Sequence, residues 1–153
     1  LTEDQGISIK TRALFRGYFP DDSSIQEFQT GDIGRWVTNE LLQVLGRKDF
    51  LINTGGEKVN PEEVEAVLAR YVPDGEVAIS SLPDKEWGEI LVAVFEAEYS
   101  PKMIATIEKQ LSQSLAPHKI PKRFMSGVAI PRSTLGKIIR SRLRTLLLSL
   151  SEE

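Results

Sequence analysis

Apolar and polar positions along this chain change period several times, and each change marks an element. Over residues 5–15, Ile7, Ile9 and Ala13 alternate with Ser8, Lys10 and Arg12, the period-two pattern of a half-buried strand. "GYFPDDSS" (17–24) is turn chemistry. "IGRWV" and "ELLQVLG" flank "TNE" and predict a hairpin pairing 33–37 with 40–45, ended by Gly46. "FLINTGGEKVN" predicts a second, shorter hairpin turning at Gly55-Gly56.

The period then becomes helical. Asn60 suits an N-cap, Pro61 the first helical position, and Glu63 the third residue of a capping box. Val64, Val67, Leu68 and Tyr71 follow at the spacing of one buried face, and "PDG" (73–75) stops the helix. "EVAISSL" (76–82) and "EILVAVFEAE" (89–98) read as strands. The second is apolar on both faces and belongs at the centre of a covered sheet. Ser100-Pro101 opens another helix with Ile104, Ile107, Leu111 and Leu115 inward, ended by Pro117. "KRFMSGVAI" (122–130) predicts a third strand. A last helix is expected from near Lys137, with Ile139, Leu143, Leu146, Leu147 and Leu150 at helical spacing. The predicted class is α+β, a small sheet with flanking helices.

Composition adds limits. The chain has 153 residues, 41% hydrophobic and 27% charged, which is ordinary globular material. No apolar run nears the ~18–20 residues of a membrane helix, and the longest, "ILVAVF" (90–95), reads as a buried strand. The start lacks the basic and apolar regions of a signal peptide. With no cysteine there is neither a disulfide framework nor a thiolate site, which fits a cytoplasmic location. "ISIKTRALF" reads as a strand entered midway, so the chain is expected to be a piece of a longer protein.

The net charge of −3 hides an asymmetry. Residues 110–151 hold no Asp or Glu but eight basic residues: Lys119, Lys122, Arg123, Arg132, Lys137, Arg140, Arg142 and Arg144. The rest of the chain is left with 11 basic against 22 acidic residues. Such a segment suits a polyanionic ligand, an acidic docking surface, or simply solvent. Within it, "PRSTLGKIIR" (131–140) delivers Lys137 from a Pro/Ser/Thr/Gly loop. Gly136-Lys137 is not a phosphate-cradling P-loop, because position 131 is proline where that loop needs glycine. The one histidine, His118, has no partners at metal-ligand spacing, so no metal site is expected. Taken alone, Lys137 reads as a surface lysine.

Five stretches in fixed order change that weighting: "FQTGD" (28–32), "GRKDFLINTGGEKVNPEEVE" (46–65), "PDKEWGEILVAVF" (83–95), "LAPHKIPKRF" (115–124) and "IPRSTLGKIIRSRL" (130–143). Together they closely resemble the C-terminal third of the adenylate-forming superfamily, which includes acyl-CoA synthetases, luciferases and peptide-synthetase adenylation domains. The resemblance implies an ATP-dependent ligase that adenylates a carboxylic acid, releases pyrophosphate and transfers the acyl group to CoA, with Mg2+ accompanying ATP. It implies that residues 1–45 are terminal β strands of a large N-terminal domain otherwise missing from the chain. Residues 46–153 would be the mobile C-terminal lid domain, which rotates between two poses, one for each half-reaction.

Residue by residue, Asp32 matches the carboxylate that accepts from the ribose hydroxyls, and Arg47 an arginine near ribose and phosphate. Asp49 matches the hinge. Gly55, Gly56, Glu57 and Lys58 match the turn lining the pantetheine tunnel. Trp87 matches an aromatic beside CoA, and Lys119 and Lys122 match cations for CoA phosphates. Ile120, His118 and Leu135 depart from common family residues. Lys137 matches the catalytic lysine that reaches substrate carboxylate and α-phosphate in the adenylation pose, carried by a loop expected to be flexible. "TGGEK" resembles the CoA ligases more than the peptide synthetases, and the o-succinylbenzoate–CoA ligases of quinone biosynthesis form the subgroup it suggests. The alternative is a stand-alone binding module using the basic segment for nucleic acid or a protein. No RNA-binding signature or interleaved aromatics support a nucleic-acid partner, and no membrane partner is expected.

Overall fold

A computed structural model of the chain describes residues 1–2, 5–14, 20, 25–72 and 77–151. Except for Pro20, the expected turn at 17–24 lies outside the described residues, as do the helix stop at 73–75 and the first residue of the strand at 76–82. The chain divides into two compact units, Leu1–Asp49 and Phe50–Glu153.

In the first unit, strands β1 (Gly6–Ile9), β2 (Phe28–Trp36) and β3 (Leu42–Arg47) form an antiparallel sheet in that order. The hairpin is longer than the apolar pattern predicts. β2 begins five residues before Ile33, and β3 runs through Gly46 to Arg47. Gly31 lies in β2 at φ 77°, and a bulge between Ile33 and Gly34 shifts the register. That break in the alternation conceals the strand's first half from a period-two search. Asp32 and Arg47 end up as cross-strand neighbours.

The second unit is built on β4 (Ile52–Thr54), β5 (Glu57–Val59), β6 (Val77–Asp84), β7 (Gly88–Phe95) and β8 (Arg123–Met125). Their order is β5-β4-β7-β6, and β8 lies parallel to β7. Helices α1 (Pro61–Leu68), α2 (Pro101–Ser114) and α3 (Arg140–Ser151) pack against this sheet. β7 fills the central place its two apolar faces require. Leu91, Ala93 and Phe95 join Val64 and Leu68 of α1 and Ile107 and Leu111 of α2 in one core. Val92 and Val94 join Leu143 and Leu147 of α3 in the other. Each fully buried Leu, Val or Phe is worth about 1.5–3 kcal/mol, so both faces of β7 carry much of the unit's stability.

The helix starts follow local chemistry. Asn60 Oδ1 accepts from the Glu62 N–H and Ser100 Oγ from the Met103 N–H, with Pro61 and Pro101 next in line. Three expectations fail. The strand expected at 122–130 ends at Met125, because Gly127 turns at φ 70° and its N–H goes back to Ala97. Val128 and Ile130 still pack into the core, as loop residues. The last helix starts at Arg140, not Lys137: Ile138 bridges Arg132, and the Ile139 N–H donates to Pro131 O. Of its expected inward residues, Leu150 is left exposed.

Candidate functional site

The sequence-predicted residues gather in separate places. In the first unit, Arg47 Nη1 lies 3.5 Å from Asp32 Oδ1 and donates to Thr30 O at 3.0 Å, while Nη2 donates to Asp49 Oδ2 at 3.0 Å. One guanidinium thus spans both carboxylates. Gly31 makes room for it, since a Cβ there would meet Arg47 Nη2 at 2.9 Å. Asp32 stays about one third exposed, with lone pairs left for a ligand's hydroxyls. The boundary between the units falls directly after Asp49.

In the second unit, β4 and β5 turn through Gly55 and Gly56, at φ 59° and 86°. Two consecutive positive φ angles are the geometry of the tight hairpin turn that favours glycine. The Gly55 N–H donates to Trp87 O at 2.9 Å, and the indole lies flush on Gly55. Lys122 Nζ sits 3.3 Å from the centroid of the Trp87 ring. An exposed contact of this kind is worth about 0.5–1 kcal/mol. Asp84 Oδ1 accepts from the N–H groups of Glu86 and Trp87, both at 2.9 Å. Those two bonds, the Trp87 one first, and the nearby Lys122 charge hold the Asp84 carboxyl below the usual carboxylate range. Gly55, Gly56, Trp87 and Lys122 therefore form one exposed patch, an aromatic surface with a cation on it. Glu57 and Lys58 stand exposed on β5, beside the turn. Lys119 is not part of the patch: its ammonium grips the Glu63 carboxylate at 2.6 and 2.8 Å.

Lys137 occupies a third place. The loop that carries it forms a turn closed by its own hydrogen bonds. Ser133 N–H donates to Lys137 O at 2.8 Å, Gly136 N–H to Ser133 O at 2.9 Å, and Lys137 N–H to Ser133 Oγ at 3.2 Å. Arg132 Nη1 also donates to Gly136 O. Gly136, at φ 80°, closes the turn, and Leu135 at its tip is 85% exposed. Lys137 is exposed, and among the described residues its ammonium makes no ion pair.

Among the described residues, three of the seven other cations in the basic segment are spent on internal ion pairs. Lys119 pairs with Glu63, Arg140 with Glu65, and Arg144 with Glu89 at 2.7 Å. The acidic groups on which these three dock belong to their own domain. Sequence reasoning did not find Asp84, although "PDKEWG" carries an Asx-turn signature, nor the Arg140–Glu65 pair, whose members are 75 residues apart. Among the described residues, no group of three or more His, Asp or Glu could hold a metal ion. No helix among them is long and apolar enough to cross a membrane.

Comparison with known proteins bears on this arrangement. Residues 63–137 match the family described as the AMP-binding enzyme C-terminal domain. The chain is 33% identical over 144 residues to the long-chain-fatty-acid–CoA ligase FadD13 of Mycobacterium tuberculosis, covering 90% of this chain and 29% of that protein. It is 34% identical over 152 residues to a 2-succinylbenzoate–CoA ligase of Listeria monocytogenes, covering 94% and 32%. Among solved structures, it is similar to the o-succinylbenzoate CoA synthetase of Bacillus subtilis in complex with its acyl-adenylate intermediate, at 32% identity and a TM-score of 0.76, covering 90% and 30%. The chain thus spans about three tenths of the length of these relatives.

Proposed function

We propose, from the premise that residues 63–137 belong to the AMP-binding enzyme C-terminal domain family, that this chain is the C-terminal part of an ATP-dependent, AMP-forming carboxylate–CoA ligase. Residues 1–45 would then end the large N-terminal domain, and 46–153 would be the lid that alternates between half-reactions about Asp49. The two ligases compared above are named for long-chain fatty acids and for 2-succinylbenzoate. An aryl or long-chain acid is the substrate class to test, with o-succinylbenzoate first.

Each residue has a role under this reading. Asp32 accepts from the ribose hydroxyls while Arg47 holds its carboxylate in place and adds positive charge nearby. Lys137 brings one compact cation to the oxygens of the substrate carboxylate and α-phosphate, where negative charge develops during adenylation. In the transfer half-reaction, the Gly55-Gly56 turn lets a thiol-bearing arm pass close to backbone, and Trp87 with Lys122 offers a ring and a cation to CoA. Glu57 and Lys58 flank that path. Lys119 would reach a CoA phosphate only by leaving Glu63. Magnesium would arrive with the nucleotide.

The observation that carries this reading is the presentation of Lys137. Three cations of its segment are held by carboxylates, whereas its ammonium stands exposed on a braced turn. The same pairing commits three of the segment's eight cations and so weakens the case for a nucleic-acid-binding module. The test is carboxylate-dependent ATP–pyrophosphate exchange by the full-length protein, with o-succinylbenzoate and a series of fatty acids. Exchange with one acid class, followed by CoA thioester formation, is expected. No exchange with any acid would reject the proposal.

A further inference from the structure

Arg140 opens α3 three residues after Lys137, and its side chain turns into the domain, 15% exposed. Nη1 donates to Glu65 Oε1 at 2.8 Å and to Ile79 O at 3.1 Å, and Nη2 donates to Glu65 Oε2 at 2.9 Å. Glu65 Oε1 also accepts the Ile79 N–H at 2.7 Å, and Glu62 Oε1 lies 3.9 Å from Nη2. The guanidinium also faces the Phe50 ring, its Cζ 5.4 Å from the ring centroid. One planar group therefore joins α1, β6, the start of α3 and the residue that follows Asp49. Only Ile138 and Ile139 separate Arg140 from Lys137, and both are fixed across the turn to Arg132 and Pro131.

We infer that Arg140 is a positioning residue for Lys137. Through its fork onto Glu65 it fixes the C-terminal foot of the turn, and so where the Lys137 ammonium stands. Through Phe50 it ties that foot to the residue after the proposed hinge. The inference rests on the proposed role of Lys137. The fork is what matters: a bidentate guanidinium–carboxylate pair sets orientation as well as distance, and a lysine ammonium sets only distance. The Ile79 peptide group, which both donates to Glu65 and accepts from Arg140, locks the pair to the sheet.

Removing one member of a largely buried pair can destabilise a domain severely. The main variant is therefore Arg140→Lys, which keeps the charge, with Glu65→Gln as the second. In the full-length enzyme, adenylation and thioester formation from pre-formed acyl-adenylate are measured separately, each with and without Lys137→Ala. Arg140→Lys is expected to slow adenylation about 10- to 100-fold, the cost of a misplaced group. Thioester formation should stay within about twofold, and no further loss should appear on top of Lys137→Ala, because groups acting as a unit are not additive. Glu65→Gln should follow the same pattern. Equal losses in both half-reactions, or a full additional loss in the Lys137→Ala background, would reduce Arg140 to a structural residue. Amide exchange on the 153-residue chain gives a readout independent of any activity. Arg140→Lys should speed exchange at Lys137 and Ile139 while Val92 and Val94 stay protected. Unchanged exchange at Lys137 and Ile139 would overturn the inference even if the enzyme proved to have another function.

Discussion

Trp87 and Gly55 touch so closely that the glycine's missing side chain is part of the contact. A Cβ at Gly55 would lie 2.6 Å from Trp87 Cε3. Gly56, the next residue, has nothing within 4 Å of the same position. Both have positive φ, so alanine at either costs about 1–2 kcal/mol of backbone strain. Only at Gly55 must the indole also move. Gly55→Ala should therefore destabilise the chain more than Gly56→Ala in urea unfolding, and it alone should shift Trp87 fluorescence. Equal costs would mean that the ring yields freely.

Acid should loosen the same patch. Asp84 is bound more tightly ionised than protonated, with its pKa depressed below 3.8. A depressed carboxyl contributes stability that is fully present above the unfolded value and lost as pH falls through the lower folded value. Wild-type chain should therefore lose an increment of stability below about pH 3.8 that Asp84→Ala lacks. Identical acid profiles would show that the two N–H bonds to Asp84 do not persist in solution.

The chain alone should be folded and catalytically silent. It has two continuous cores on either side of β7, but spans about three tenths of the length of its relatives. Cooperative melting with pyrophosphate release at background is the expected pair of results. Clear turnover by these 153 residues would contradict the assignment of the missing nucleotide and acyl pockets to another domain.

What could be read in advance follows from the range of the interactions. Asn60-Pro61 and Ser100-Pro101 announce their helices because caps act over two or three residues. The double apolar face of "ILVAVF" announces a covered strand because burial on each side is written in alternate positions. Ile138 and Ile139 carry helical spacing but spend their backbone groups across a turn to Arg132 and Pro131, so the pattern places the start of α3 too early. The first half of β2 was hidden by Gly31 and the bulge that follows it. Resemblance named Asp32, Arg47 and Asp49. That the Arg47 guanidinium reaches Asp32 as well as Asp49 depends on the cross-strand register of β2 and β3, which no local pattern encodes. The commitment of Lys119 to Glu63, 56 residues away, was equally out of reach.

Asp49 sits in a single 3₁₀ turn, Lys48–Phe50, at the boundary of the two units. Proline fixes φ near −65°, a value such a turn accepts, and removes the N–H. In the full-length enzyme, Asp49→Pro should hold one pose, preserving one half-reaction and abolishing the other with a normal melting curve. Asp49→Ala, which loses only the bond to Arg47, should be milder in both. Wild-type rates for Asp49→Pro in both half-reactions would remove Asp49 from the hinge.

The central claim is that Lys137 serves adenylation and not transfer, and Lys137→Ala tests it most directly. In the full-length enzyme, single-turnover formation of acyl-adenylate from ATP and acid should fall roughly 10²–10³-fold, the loss seen when one charge-stabilising donor is removed. Conversion of pre-formed acyl-adenylate and CoA to thioester should keep its wild-type rate. An equal fall in both half-reactions, or none in the first, would contradict the account.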